Sequence, residues 1–249
     1  MPFTLVGWCQ SVNTGNVLTE FDALDDPHIR VEGKNIICPP LNQLLGIFCV
    51  GASISKARIV SPSILKKWEV EVCPLNVGAE PVSPPPYVDI FETPIPLVPS
   101  EGIRCKMAGT EGAAEYKVGL IWLGDKAVSP VKAAYQTIKA TSTTTLTPYK
   151  WTPCRLTFEQ ILPAGRYQVI GMRAQSAGAI AARLIFTGFA WRPGVIALDS
   201  IADLEATRFR FGNAGLFGEF THDSPPVVEF LSVSADTSEE VYLDLVGPL

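Results

Sequence analysis

The feature that most constrains this chain is a succession of short β-branched and aromatic runs, each closed by Gly or Pro. Ile54–Val60 (ISKARIV), Trp68–Leu75 (WEVEVCPL), Tyr116–Leu123 (YKVGLIWL) and Arg166–Met172 (RYQVIGM) are of this kind, as are residues 135–147, 179–189 and Val241–Val246 (VYLDLV). Such residues fit a pleated, half-buried surface, and the flanking Gly and Pro mark where each run must turn. Apolar positions at i, i+3, i+4 and i+7 are nowhere kept up over a dozen residues; only 41–48 and 201–206 read as short helices. Many strands without alternating helices predict an all-β sandwich or barrel and argue against a parallel α/β sheet.

Composition supports this and excludes several classes. With 47% hydrophobic residues in 249, the chain has apolar area for a sizeable core and is not a disordered polymer. Charged residues make up 18%, below the usual quarter, while 20 Gly and 21 Pro supply turns. The opening MPFTLVGWCQ has no basic residue before Arg30, unlike a secretory signal, so no export is expected. The longest apolar stretch, residues 44–52 (LLGIFCVGA), reads as a buried strand, since a helical span needs about 20 residues. Six cysteines at 9, 38, 49, 73, 105 and 154 include no CxxC pair, so packed, reduced thiols are expected, with disulfides as the alternative.

Two stretches stand out as organisation. Residues 76–94 (NVGAEPVSPPPYVDIFETP) form a long Pro-rich excursion in which Pro84, Pro85 and Pro86 impose a polyproline-like backbone ahead of Tyr87. Loops of that length are often functional or touch another subunit, so these four residues are interface candidates. An internal repeat is also readable. Lys67-Trp68 recurs as Lys150-Trp151, Pro99-x-x-Gly102 as Pro163-x-Gly165, Met107 as Met172 and Lys117-Val118 as Arg183-Leu184. The offset is 83 residues at the first pair and 64 to 66 afterwards, as if the first copy carried an insertion at the Pro-rich loop. This predicts two tandem β-units, residues 1–128 with the Pro-rich loop and residues 129–249.

No catalytic constellation emerges. His28 and His222 each stand in a turn context without a second ligand at metal spacing, so neither a metal nor a cofactor is expected. There is no GxSxG elbow or phosphate-binding GxxxxGK loop, and Gly212–Gly215 reads as a glycine turn. Glu69 and Glu71 share one strand face at about 7 Å, a separation that paired glycosidase carboxylates also use, but a solvated face explains them more simply. No catalytic residue is expected.

The basic residues are unevenly spread: all ten lysines fall at or before Lys150, and the last 99 residues hold seven arginines. The guanidinium fork suits buried or interfacial carboxylates, so Arg166, Arg173, Arg183 and Arg192 are interface candidates, the last three standing in apolar strand contexts that suggest subunit contacts or internal loop clamps. The net charge of -5 divides as -4 before residue 129 (10 basic, 14 acidic) and -1 after it (10 basic, 11 acidic). No basic stripe exists to neutralise phosphates, which argues against sequence-specific nucleic-acid binding.

The stretch TTTLTPYKWTPCRLTFEQILPAGRYQVIGMRAQSAGAIAARLIFTGFAWRPGVIALD, with RFRFGNAGLFGEF and HDSPPVVEFLSVSADTSEEVYLDL after it, resembles the C-terminal part of major capsid proteins of tailless icosahedral bacteriophages. PSIL at 62–65, PLN at 74–76 and GLIWLGD at 119–125 add weaker similarity. The resemblance implies a double jelly roll, two eight-stranded sandwiches side by side in one chain. It also implies a structural protein, not an enzyme: homotrimeric pseudo-hexagonal capsomers, a self-assembled shell with other virion proteins, often over an internal membrane, in a virion whose subunits are made in the host cytoplasm. About 125 residues per sandwich leaves no room for the long towers of larger members. A second reading, a carbohydrate- or receptor-binding β-sandwich of spike or lectin type, would use Trp151, Trp191 or Tyr87 to stack on sugar faces.

Overall fold

The computed structural model describes residues 2–51, 54–65, 70–72, 75–76, 89–110, 112–198 and 214–249. The chain divides into two compact units, one from residue 5 to about residue 127 and the other from Val128 to Leu249, to which the residues up to Thr4 also belong.

The first unit contains β1 (Phe3–Val12), β2 (Thr19–Glu20), β3 (Val31–Glu32), β4 (Asn35–Ile37), β5 (Gln43–Gly51) and β6 (Ile54–Val60). It continues through a single helical turn, α1 (Pro62–Leu65), into β7 (Val70–Val72), β8 (Leu75–Asn76), β9 (Asp89–Pro96), β10 (Gly102–Gly109) and β11 (Glu115–Gly124). One sheet has the order β1-β11-β5-β8 with β9 also on β5; the other runs β3-β4-β10-β6-β7 with β2 also on β10. The chain thus passes from sheet to sheet as it goes, which is the jelly-roll path: β1-β11-β5-β9 face β4-β10-β6-β7. Trp8, Trp122, Phe48 and Phe21 are fully buried.

The second unit contains β12 (Gln136–Ser142), β13 (Trp151–Arg155), β14 (Thr157–Phe158), β15 (Arg166–Gln175), β16 (Ala179–Ile185), β17 (Gly194–Leu198), β18 (Gly218–Thr221), β19 (Val227–Ser232) and β20 (Glu239–Val246). Its strands join in the order β13-β19-β16-β17-β15-β20-β12-β14, with β18 on β15. Here β17 pairs antiparallel with β16 and parallel with β15, and so links the two sheets into one nearly closed ring. The jelly-roll sets recur as β12-β20-β15-β18 and β13-β19-β16-β17. The protein is all-β, a double jelly roll.

The repetition extends to irregularities. Between β6 and β10 the ladder skips Ser55, and between β16 and β19 it skips Ile180, 125 residues later. Between β5 and β11 it skips Leu45, and between β15 and β20 it skips Ile170, again 125 residues later. A bulge bends its strand and raises the local twist, so two bulges repeated at one spacing give both sandwiches the same curvature. This spacing corrects the repeat read from the sequence. Met107 lies on β10 and Met172 on β15, while Lys117 lies on β11 and Arg183 on β16, so those pairs are not equivalent. Short β words match at many registers, and only hydrogen-bonded partners fix which one is used.

One other expectation also changes. Residues 41–48 are not helical: Gln43–Gly51 is strand, buried along nearly its whole length. With both faces covered the period of two vanishes, and a continuous apolar run reads equally well as a short helix. The other helical stretch, 201–206, and Pro84, Pro85, Pro86 and Tyr87 lie outside the described residues. Cys9, Cys38, Cys49, Cys105 and Cys154 are free and buried, as expected of packed thiols; Cys73 lies outside the described residues. Among the described residues no helix is long and apolar enough to cross a membrane.

The first core is tight around its sulfurs. Cys49 stands 3.0 Å from the Met107 sulfur, and a Cβ added at Gly119 would lie 2.6 Å from the Cys105 sulfur. A cysteine side chain is too short to swing clear, so Gly119→Ala should destabilise the protein by about 1–3 kcal/mol. Urea denaturation checks this; an unchanged midpoint would refute the packing assignment.

Candidate functional site

The chemistry of the second sandwich is concentrated in buried charge. Glu229 on β19 sits opposite Arg183 on β16, and its Oε2 accepts a hydrogen bond from Arg183 Nε at 2.7 Å. The same oxygen accepts from Arg192 Nη1, just ahead of β17. Arg183 has 0% exposure, and its guanidinium lies over the Trp151 ring, 4.1 Å from the centroid. Two guanidiniums thus share one carboxylate between neighbouring strands, with an aromatic face helping to offset the desolvation of Arg183.

A second lock lies in the other sheet. Arg173 on β15 donates to Asp244 Oδ1 on β20 at 2.9 Å, and Thr137 on β12 donates to the same oxygen at 2.6 Å. Arg173 also reaches the Thr137 hydroxyl at 3.3 Å. Three adjacent strands are therefore tied through one carboxylate. These residues hold their charges away from solvent and use them on each other.

Of the four candidate arginines, Arg173, Arg183 and Arg192 have their guanidiniums turned inward, as internal clamps between strands. Arg166 alone is well exposed, with its side chain 59% accessible and Glu219 at 3.6 Å. It borders a hollow with Thr221 and Ser224, which adjoins an open apolar groove of about 440 Å³ formed by Phe186, Phe189, Leu216 and Phe217. Phe189 is 39% exposed and meets Phe186 edge-on at 6.4 Å.

The remaining candidates are scattered. His28 is exposed, its backbone N–H donating to Asp26; His222 Nδ1 accepts from the Gly165 backbone at 3.4 Å. Among the described residues no three His, Cys, Asp or Glu side chains come together as metal ligands. Glu69 lies outside the described residues, and Glu71 pairs in register with Arg58 on β6. Trp151 has one ring face taken by Arg183, and Trp191 is half-buried.

Sequence reasoning missed Glu229, Asp244, Asp236 and Glu239 as partners or isolated buried acids. The only signal was indirect: a run of arginines in apolar contexts requires carboxylates, but strand register decides which ones.

No family model matches the chain, and no curated protein matches it. Among solved structures, the major capsid protein P2 from bacteriophage PM2 aligns over 98% of this chain and 98% of its own, at 14% identity and a TM-score of 0.24. A superposition at that level adds nothing to the strand order, on which the fold assignment rests.

Removing the shared carboxylate leaves two guanidiniums buried without their anion. Glu229→Gln should therefore lower stability by about 3–5 kcal/mol, whereas the exposed Glu219→Gln should change it by less than about 1 kcal/mol. Parallel denaturant titrations compare the two; equal effects would show that the Arg183–Glu229–Arg192 group does not bear on folding.

Proposed function

We propose that this protein is a viral structural subunit, a major capsid protein that builds an icosahedral shell by repeated self-association. The observation that carries the reading is the doubled jelly roll itself: two sandwiches of the same strand order, bulged at the same places, in one chain. A chain with two similar units supplies, as a trimer, six similar units around one axis. Such a capsomer meets six neighbours in a nearly hexagonal lattice while keeping a simple threefold symmetry. The low charge content fits a role in large interfaces, and the buried ion pairs stiffen the sandwich rather than serve a reaction.

The partners under this reading are copies of the same chain, other virion proteins and an internal membrane, with no sequence-specific contact to nucleic acid. The protein resides in the virion after synthesis in the host cytoplasm. The contact residues proposed are Pro84, Pro85, Pro86, Tyr87 and Arg166, the last beside an apolar groove whose phenylalanines offer a neighbour burial.

Light scattering of the purified chain tests the assembly. The expected species has three times the 26.9 kDa chain mass, with hexagonal outlines or closed shells by negative-stain microscopy. A stable monomer at micromolar concentration would overturn it. Arg166→Glu should shift the distribution toward monomer without altering the fold, because its exposed pair with Glu219 contributes little to the single chain. An unchanged mass would remove Arg166 from the interface.

A further inference from the structure

Glu239 opens β20 and has 0% exposure, and neither of its carboxyl oxygens has a hydrogen-bond partner among the described residues. Ser142 lies opposite it on β12, and with the Thr144 backbone favours its charged form without completing a hydrogen bond. The Cys154 thiol on β13 also faces it and is pushed up to about 11, first by burial and then by the Glu239 charge. Among the described residues the charge acting on Glu239 itself is the Asp236 carboxylate. Arg183 and Arg192 are engaged with Glu229, and Arg173 with Asp244. Lys139 pairs with Glu240, whose side chain points to the opposite face of β20.

Asp236 is a hub of the loops at this end of the sandwich. Its Oδ2 accepts from the Ser176 hydroxyl at 2.8 Å and from the Ala177 N–H at 3.0 Å, while its backbone carbonyl accepts from the Leu146 N–H at 2.9 Å. Burial works against its charge, but Ser176 and the backbone N–H groups of Thr237, Ala177 and Ser238 outweigh it and hold the carboxyl below its ordinary range. Two neighbouring carboxyls are thus driven apart, one ionised and hydrogen-bonded, the other dry and, among the described residues, without a cation.

We propose that Glu239 is held as a neutral acid and acts as a proton-dependent latch, whose ionisation sets a second negative charge beside Asp236 and loosens the loops that Asp236 ties together. Burial, with Asp236 adding to it, raises the group from 4.5 to about 7. A folded-state value above the unfolded one means that the stabilisation is complete below about 4.5 and is lost as the pH rises through about 7. From pH 5 to pH 8 the folding equilibrium constant should fall roughly a hundredfold on this account. The inference concerns the second sandwich alone and stands whether or not the chain builds a shell.

The test uses the full chain. Urea denaturation at fixed ionic strength, from pH 5 to pH 8.5, should show the wild type losing stability across neutrality, with Glu239→Gln losing far less. Infrared difference spectra of the wild type should show a protonated carboxylic acid at pH 6 that disappears by pH 8.5, a reading that needs no variant to fold. The proposal fails if both proteins share one pH profile or if the acid band is missing at pH 6. It fails equally if calcium stabilises the wild type at pH 8 and a chelator reverses this, since the carboxyl would then be ionised on a cation.

Discussion

A β-strand alternates its side chains strictly between two faces, so a sandwich strand that must turn its inward set outward has to break its ladder. In this protein that constraint is met at bulges that include Leu45 and Ser55 in one unit and Ile170 and Ile180 in the other. Each leaves one residue unopposed, bends its strand and resets the alternation, allowing paired sheets to curl over a common core. The rest of the architecture depends on this. In the second unit the curl brings β17 against both β16 and β15, joining two sheets that flat strands would leave apart.

The buried ions fix the register that the bulges establish. Glu229 meets Arg183 only because Glu229 and Arg183 are cross-strand partners; a slip by one residue would turn the carboxylate to the opposite face and leave both guanidiniums dry and unpaired. Asp244 does the same for β12, β15 and β20. Apolar contacts alone tolerate slippage between similar aliphatic positions, whereas an unpaired buried charge does not.

Much of the fold was legible. Ile54–Val60 is strand over the bounds its alternation suggests, and the Tyr116 and Arg166 runs fall on β11 and β15. The fully covered β5 was not, because burial on both faces removes the period that distinguishes strand from short helix. The repeat was visible as vocabulary but assigned to the wrong partners, since Met107 and Met172 are alike in type yet sit on strands of different place in the sandwich. Arg173, Arg183 and Arg192 were legible as residues needing carboxylates. Their partners lie 37 to 71 residues away, and nothing local to an arginine indicates which acid the pairing will bring to it.

The two units have solved one charge problem in two media. Arg58 and Arg183 are equivalent across the repeat, and Lys106 opposite Arg58 corresponds to Glu229 opposite Arg183. In the first unit Lys106 meets Glu20, on β2, at 3.7 Å, and Glu20 also meets Arg104 at 2.6 Å, with about a third of each side chain in water. Mobile ions can reach that group, but not the one around Glu229. Ionic strength therefore acts on this strand pair in the first sandwich and spares its counterpart in the second, so added salt would loosen one copy of a duplicated contact and leave the other intact.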